Sequence, residues 1–494
     1  MVSVRMTRLA RRSAVVAVAI GVVLAFAGAA LAAVPLTTVS TDPYVNTSSF
    51  HQTQVEPDTF SFGSTIVSVF QSGRFSDGGS SNIGYATSTN NGASWTNGFL
   101  PGTTVFASPP GTWARISDPS VAFDPKHNVW LAAGLAIDNT VTGKAVLVNR
   151  STDGGLTFQN PVTVSRGGGS SFYDKEWIAC DTTSTSPFYG NCYVEWDDAS
   201  AFNKLKMSFS TDGGQTWTSS GVPANSLGVI GGQPLVQPNG TVVMPIGGGI
   251  GLESFISSNG GSSYTGPFGI SSVQVHSVNG FLRDGGGLPS AEVDGSGKVY
   301  VVWQDCRFRS GCSSNDILLS TSSNGQTWTS QPVRIPIDAV TSGVDHFIPG
   351  IAVDPATSGS TAHLGVTFYF YPVANCTTST CRLNAGFVSS TDGGTTWTRP
   401  VKVLGSLGLK WLPLTSQGYM VGDYISTSFL NGKAFPVIAN ATSGTCTRGQ
   451  ITSCHEFMVA PTNGLVLRAG TIRVGLDRLV PVSIGVRHLP ATAF

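Results

Sequence analysis

Two short loops concentrate the side chains that can do chemistry. QSGRFSDGG carries Arg74 and Asp77, and QDCRFRSGC carries Asp305, Arg307 and Arg309. Facing carboxylates can divide acid and base roles, and Asp77 with Asp305, Asp423 or Glu56 would make such a pair. A second group sits where apolar runs begin: Glu56, Asp118, Asp174 with Glu176, Gln233, Asp284, Asp345 with His346, and Asp423 with Tyr424. Gathered at one place, they would form an acidic mouth whose carboxylates repel unless a ligand or cation joins them. Phe75, Phe308 and Tyr424 stand nearby in sequence and offer rings for stacking on sugars. Each residue alone also has a plain structural use: Asp-Pro and Gly-Asp make turns, and loop arginines pair with surface carboxylates.

The elements that must position these residues are announced by a repeated phrase. STDGGQTWTSS begins at Ser210, and related wording begins at Ser88, Ser151, Ser257, Thr321 and Ser390. Each copy follows an alternating or apolar run, ends in Trp, Phe or Tyr, and leads into another short run, which reads as strand, tight turn, strand. Asp or Asn at its third position accepts hydrogen bonds from the turn backbone, and glycine at the fifth supplies angles that side chains resist. Asp153, Asp212 and Asp392 are therefore expected to be turn residues without a catalytic role.

The phrase resembles the Asp-box, or BNR repeat, of the sialidase superfamily. Successive copies start 47 to 69 residues apart, so the resemblance spans most of the chain, and periods of this size read as propeller blades. It implies an all-β fold, a β-propeller of four-stranded antiparallel blades with each box between the third and fourth strands. EWIACD, GNCYVEW and KLKMSFS precede the box at Trp217 in this way, and LPSAEVD, KVYVVWQ and NDILLS precede the one ending at Trp328. After the sixth box GDYISTSF, GKAFPVI and HEFMVAP add three strands without a box. Seven blades are favoured over six, with a six-bladed ring plus an appended strand set as the alternative. The expected division is a signal peptide over 1–32, an N-terminal segment over 33–53 able to close a blade, a propeller over 54–464, and a tail over 465–494 that could supply a closing strand. Alternate connections of antiparallel strands emerge on opposite faces, which places the boxes on one face and the two chemistry-bearing groups on the other.

The resemblance also implies a mechanism: three arginines clamping a sugar carboxylate, a tyrosine nucleophile activated by a Glu, and an Asp as acid/base. Arg74 with Asp77 resembles the second arginine loop and the acid/base aspartate, and Tyr419 or Tyr424, in GYMVGDY, stands where the nucleophile is sought. Other parts depart from the family. Val55-Glu56-Pro57 replaces a Phe/Tyr-Arg-Ile-Pro motif, Gln233 stands for a Glu, VVMPIGGG lacks an arginine, and Asn315-Asp316 occupies another clamp position. Glu56 reverses a charge and would repel a sialate. The expectation is a sialidase-like propeller that binds or hydrolyses a glycan, ordinary exo-sialidase activity being disfavoured. The face that bears Arg74, Asp77, Asp305 and Arg307 is expected to take a neutral or non-sialylated glycan. Asp77, Arg74, Tyr424 and Asp305 are its candidate catalytic residues. Glu56, Asp118, Glu176, Gln233, Arg307, Asp345 and Asp423 are its candidate binding residues. The alternative is a non-catalytic adhesion propeller with a structural cation. A true exo-sialidase would need its missing arginines from Arg115, Arg283 and Arg307.

Composition narrows the setting. Arg5, Arg8, Arg11 and Arg12, the apolar run from Ala14 to Ala27, and Ala30-Leu31-Ala32 follow the secretory leader pattern, so a secreted protein without a retained span is expected. Four of the 28 basic residues lie in that leader against 28 acidic ones elsewhere, which leaves no basic stripe for nucleic acid. The eight cysteines form four close pairs, Cys180/Cys192, Cys306/Cys312, Cys376/Cys381 and Cys446/Cys454, and an oxidising compartment favours disulfides within each. No cofactor is required by any motif. Ca²⁺ fits the hard oxygens of the mouth, although no compact calcium loop is present. The partner class is a glycan or glycoconjugate.

Overall fold

The computed structural model of the protein describes residues 33–248, 251–446 and 454–475; the expected leader and the tail beyond 475 lie outside the described residues. Short runs rich in β-branched and aromatic residues, punctuated by glycine turns, become strands that pair with their sequence neighbours. Gln54–Phe62, Thr65–Arg74, Ser80–Ser88 and Thr96–Phe99 pair antiparallel in that order. The same arrangement recurs from Arg115–Asp124 to Val162–Arg166, Tyr173–Cys180 to Thr218–Ser219, Leu235–Val236 to Thr265–Ser271, Ser290–Val293 to Val333–Arg334, and Asp345–Val353 to Val401–Gly408. A further set runs Ser426–Leu430, Lys433–Ala441 and Glu456–Pro461, and its outer strand is Leu36–Thr38, from the opposite end of the described chain. The two ends are thus hydrogen-bonded into one sheet.

The sets stand side by side, so most sheets are covered on both faces and their strands read as near-continuous apolar runs. VWLAAGLAI, Val129–Ile137, is buried at every position. One of its faces packs with Val67, Val69 and Ile83 of the preceding set, the other with Ile178, Val194 and Trp196 of the next. The first strand of every set contributes to the wall of one central cavity. Three of the four disulfides, Cys306–Cys312, Cys376–Cys381 and Cys446–Cys454, bracket connections between second and third strands, and Cys180–Cys192 joins a first strand to its second.

The repeated phrase is a hydrogen-bonded turn between third and fourth strands. In the copy at Asp212 one carboxylate oxygen accepts from Ser210 Oγ at 2.8 Å and from the backbone N–H groups of Gln215 and Thr216 at 3.0 Å each, and the other accepts from Thr216 Oγ1 at 2.6 Å. Asp153 and Asp392 repeat the pattern, and Asn90, Asn259 and Asn324 make its neutral version. Gly214 adopts φ +77° in this turn, where an L side chain is strained. Slight burial raises the Asp212 carboxyl, but the Thr216 and Ser210 hydrogen bonds outweigh it and hold the group below its ordinary value. Asp212→Ala should therefore cost about 1–2 kcal/mol of folding stability, read by urea titration, and leave ligand binding at the opposite face unchanged.

Candidate functional site

The site is built by a backbone irregularity repeated in several first strands. Ladder register shifts between Val55 and Asp58, Ser117 and Ser120, Asp174 and Trp177, and Phe347 and Gly350. Inside each bulge one non-glycine residue takes a left-handed conformation: Glu56 at φ +54°, Asp118 at +45°, Lys175 at +51° and Ile348 at +49°. Such angles cost about 1–2 kcal/mol each for an L residue, and bulges are used to re-aim a side chain. Three of the four re-aimed side chains are charged, and they meet. Lys175 Nζ lies 2.8 Å from Asp118 Oδ1, 2.8 Å from Asp423 Oδ2 and 3.4 Å from Glu56 Oε1. One ammonium thus joins carboxylates from three other sets, all of them 5 % exposed or less.

The surroundings close around this contact. Arg283 forks onto both oxygens of Asp423, and Gln71 donates to the second oxygen of Glu56. Gly422, at φ +142°, brings the backbone so close that an added Cβ would lie 2.9 Å from Glu56 N, so only glycine fits there. Burial alone would lower the Lys175 ammonium, but Asp118, Asp423 and Glu56 hold it well above its ordinary value. Burial would raise Asp423, and Arg283 and Lys175 overcome this and hold it far below the usual carboxylate range. Glu56 stays raised because burial outweighs the pull of Lys175. At the axis Glu56, Asp118 and Asp423 are thus paired charges, while Asp174 and Glu176 of the expected acidic mouth form no ion pair among the described residues. The deciding cation, Lys175, stands between two residues that sequence reasoning selected, Asp174 and Glu176. The other bulges, at Glu56-Pro57, Asp118-Pro119 and Ile348-Pro349, carry proline after the re-aimed residue, and Lys175-Glu176 does not, so the one pattern that could have found it is absent.

The remaining candidates fall into three groups. Tyr424 is buried; its hydroxyl donates to Pro119 O at 3.1 Å, its ring lies 5.5 Å below Lys175 Nζ, and burial, then Glu56 and Asp118, keep the phenol well above its ordinary value. Arg74 is buried too, donating to Gly79 O at 2.7 Å and to Met420 Sδ at 3.2 Å, with burial lowering it to about 10. Asp77 sits at the rim, half-exposed, paired with Arg115 at 2.6 Å; slight burial would raise it, and the Arg115 hydrogen bond and charge hold it below its ordinary value. A second assembly lies one loop away. Arg307 forks onto Asp305 at 2.9 and 2.6 Å, and Asp345 accepts from Asn315 N at 2.7 Å and from His276 Nδ1 at 3.1 Å. Close to it Asp316, Asp338 and His346 bring three ligand-type atoms within 4.8 Å of one another. Arg309 and Arg334 already pair with both of these carboxylates at 2.5–2.9 Å, so their charge is met by the protein.

The third group is the acidic lining of the set that carries Lys175. Asp174 faces Asp197 across the ladder, and Glu195 and Glu176 lie beside them. No oxygen of Glu176 or Glu195 makes a well-formed hydrogen bond among the described residues. Burial, then the neighbouring carboxylates, raise all four well above their ordinary values. Glu195 and Asp197 were missed in the sequence because they sit inside the second strand CYVEWDD, where acidic residues usually face solvent. Gln233 accepts from Ala291 N at 2.9 Å and lines a small pocket with Lys175, Glu176 and Tyr424.

No family model matches the chain, and no curated protein matches it. Solved structures do match it in fold. An endosialidase of phage phi92 superposes with a TM-score of 0.51 and 11% identity, over 92% of this chain and 72% of its own. The fold is that of a sialidase-like β-propeller. The Hadza microbial sialidase Hz136 gives 0.45 and 13%, over 85% and 66% of the two chains, and a Dyadobacter fermentans protein of unknown function gives 0.44 and 16%, over 72% and 98%. No helix among the described residues of the propeller is long and apolar enough to cross a membrane, and its four disulfides are consistent with an extracellular protein.

Two outcomes follow for the propeller. Lys175→Met leaves three buried carboxylates without their shared cation and should cost about 3–5 kcal/mol in urea unfolding; adding Asp118→Asn should recover part of the loss. The second concerns pH. A carboxyl raised by folding contributes stability that is present below its unfolded value and lost as pH rises through its folded value. Glu292, raised to about 8, and Asp58, Asp284 and Asp42, each raised to about 6, all have this sign, burial being the main cause. Asp423 has the opposite sign, and its contribution is lost only in strong acid. The melting temperature should therefore be higher near pH 5 than near pH 8, and Glu292→Gln should flatten the decline.

Proposed function

We propose that this chain is an exported glycan-binding propeller that does not cleave sialosides by the tyrosine route. The observation that carries this reading is that, among the described residues, Arg74, Arg115, Arg283, Arg307 and Arg309 each donate to a protein acceptor. Arg283 forks onto Asp423, Arg307 onto Asp305 and Arg309 onto Asp316, while Arg115 makes one contact to Asp77 and Arg74 donates to Gly79 O. At Arg283, Arg307 and Arg309 a sugar carboxylate would have to displace a buried bidentate pair, which leaves the displaced carboxylate unpaired at a cost of several kcal/mol. The Tyr424 phenol points its proton at a carbonyl and is held far from ionisation, the reverse of an activated nucleophile.

Binding is assigned to the rim above the paired charges. Phe202, in the connection after Cys192–Asp198, is 81% exposed, and Phe281, just before Arg283, is 58% exposed. Both hold left-handed backbones, φ +61° and +64°, conformations that cost free energy and cluster at functional loops. Arg115 covers the Phe75 ring at 4.2 Å while it pairs with half-exposed Asp77. Exposed rings such as Phe202 and Phe281 suit the apolar faces of sugars.

The test uses the disulfide-intact protein, a fluorogenic sialoside and a glycan array followed by calorimetry. The expected result is no turnover, together with saturable binding of a glycan class that weakens about tenfold in Phe202→Ala or Phe281→Ala. Turnover abolished by both Asp77→Ala and Tyr424→Phe would overturn the reading and restore a sialidase centre.

A further inference from the structure

The central cavity has a chemistry distinct from the paired charges at the mouth. It encloses about 410 Å³, a volume in the range of small-molecule sites. Trp177 and Gln233 line both this cavity and the small pocket against Lys175 and Tyr424, so the paired charges stand at its mouth-side end. Toward the opposite face it reaches Phe62, which is 40% exposed, and exposed Pro355. Phe60, Glu292 and Phe429, all on innermost strands, keep partial exposure. In a sheet edge packed among its neighbours, that exposure comes from the channel itself.

Two carboxylates belong to the wall, Asp58 and Glu292, and none of the lining residues is Lys, Arg or His. Asp58 has one oxygen at 2.8 Å from the Val121 backbone N–H and is also reached by the Ser426 hydroxyl and the Thr59 backbone. Burial and then the Asp58 charge push Glu292 up to about 8, the response of a carboxyl that shares a poorly hydrated space with another and with no protein cation. Most of the remaining wall is apolar or hydroxylic, with Phe60, Phe62, Trp177 and Phe429 among its rings.

We propose that this channel binds a small alkylammonium ion, with its charged head between Asp58 and Glu292 and its hydrocarbon body along the aromatic wall. A hard divalent cation asks for six to eight oxygens in its shell, and here one oxygen of the pair is already used by Val121. An ammonium needs only three acceptors, gains from aromatic faces, and gains further when its alkyl chain leaves water.

The probes are butylammonium chloride, 1,4-diaminobutane dihydrochloride, n-butanol and calcium chloride, titrated calorimetrically into the whole disulfide-bonded protein. The expected result is saturable one-to-one binding of butylammonium, a raised melting temperature in its presence, and no saturable binding of butanol. Titrated at pH 9, above the raised Glu292 value, Glu292→Gln removes the carboxylate while keeping volume and should weaken butylammonium about tenfold or more; its near-ultraviolet circular dichroism checks that it folds. Asp58→Asn, which keeps an oxygen for Val121, should do the same. Failure of butylammonium to saturate, or binding undiminished in Glu292→Gln, overturns the proposal. So does butanol binding as tightly, which would make the channel merely apolar. Calcium that binds, displaces the amine and is lost in Glu292→Gln would overturn it in favour of a metal site.

Discussion

One ammonium group holds the centre of this molecule. Lys175 Nζ reaches Asp118, Glu56 and Asp423, which enter from three different strand sets and lie 57, 119 and 248 residues from it in sequence. Without it these carboxylates would face one another in a space too dry to screen them. With it they become a single network, to which Arg283 adds a second cation through Asp423. The sets of a propeller share few covalent constraints, so a contact that touches several of them at the axis fixes their angular spacing in a way that pairwise apolar packing does not.

That network explains several features that look separate. The left-handed residues at Glu56, Asp118 and Lys175 are where the strand must break its pleat to turn a side chain to the axis. Gly422 is confined to glycine because Glu56 approaches its backbone. Tyr424 lies under Lys175 and ties its hydroxyl to Pro119, next to Asp118. The bulges at Glu56, Asp118 and Lys175 serve the same meeting of charges, while the fourth, at Ile348, turns its backbone N–H to Gln304 Oε1. The resulting plug also divides the molecule: the rim and its exposed rings lie on one side, and the acidic, aromatic channel lies on the other.

Most of the fold was legible in the sequence. The box phrase named its own turn, and Asp212 accepts the hydrogen bonds that its position in STDGGQTWTSS implies. The four neighbourhood cysteine pairs are the four disulfides. The candidate site was legible only in part. Glu56, Asp118 and Asp423 stood out as acidic residues at strand starts, and they do converge. Lys175 did not stand out, because a lysine beside Glu176 in a polar stretch reads as solvated, and nothing local says that a bulge buries it. Asp58 and Glu292 were likewise hidden, as period two alternation cannot say whether the outward residue of an innermost strand meets water, a neighbouring set or an enclosed channel.

By itself, then, the sequence determined the local chemistry: where strands start, which residues close each turn, and which cysteines lie near enough to join. These depend on a few consecutive residues, and their energies are set over short distances along the chain. Tertiary structure alone decided the sign and purpose of the charges at the axis. Whether a carboxylate is a lone acid, a partner for Lys175 or a wall of the channel depends on groups brought together through space. In a buried site the interaction between charges and the cost of removing water from them far exceed anything a residue's immediate neighbours contribute.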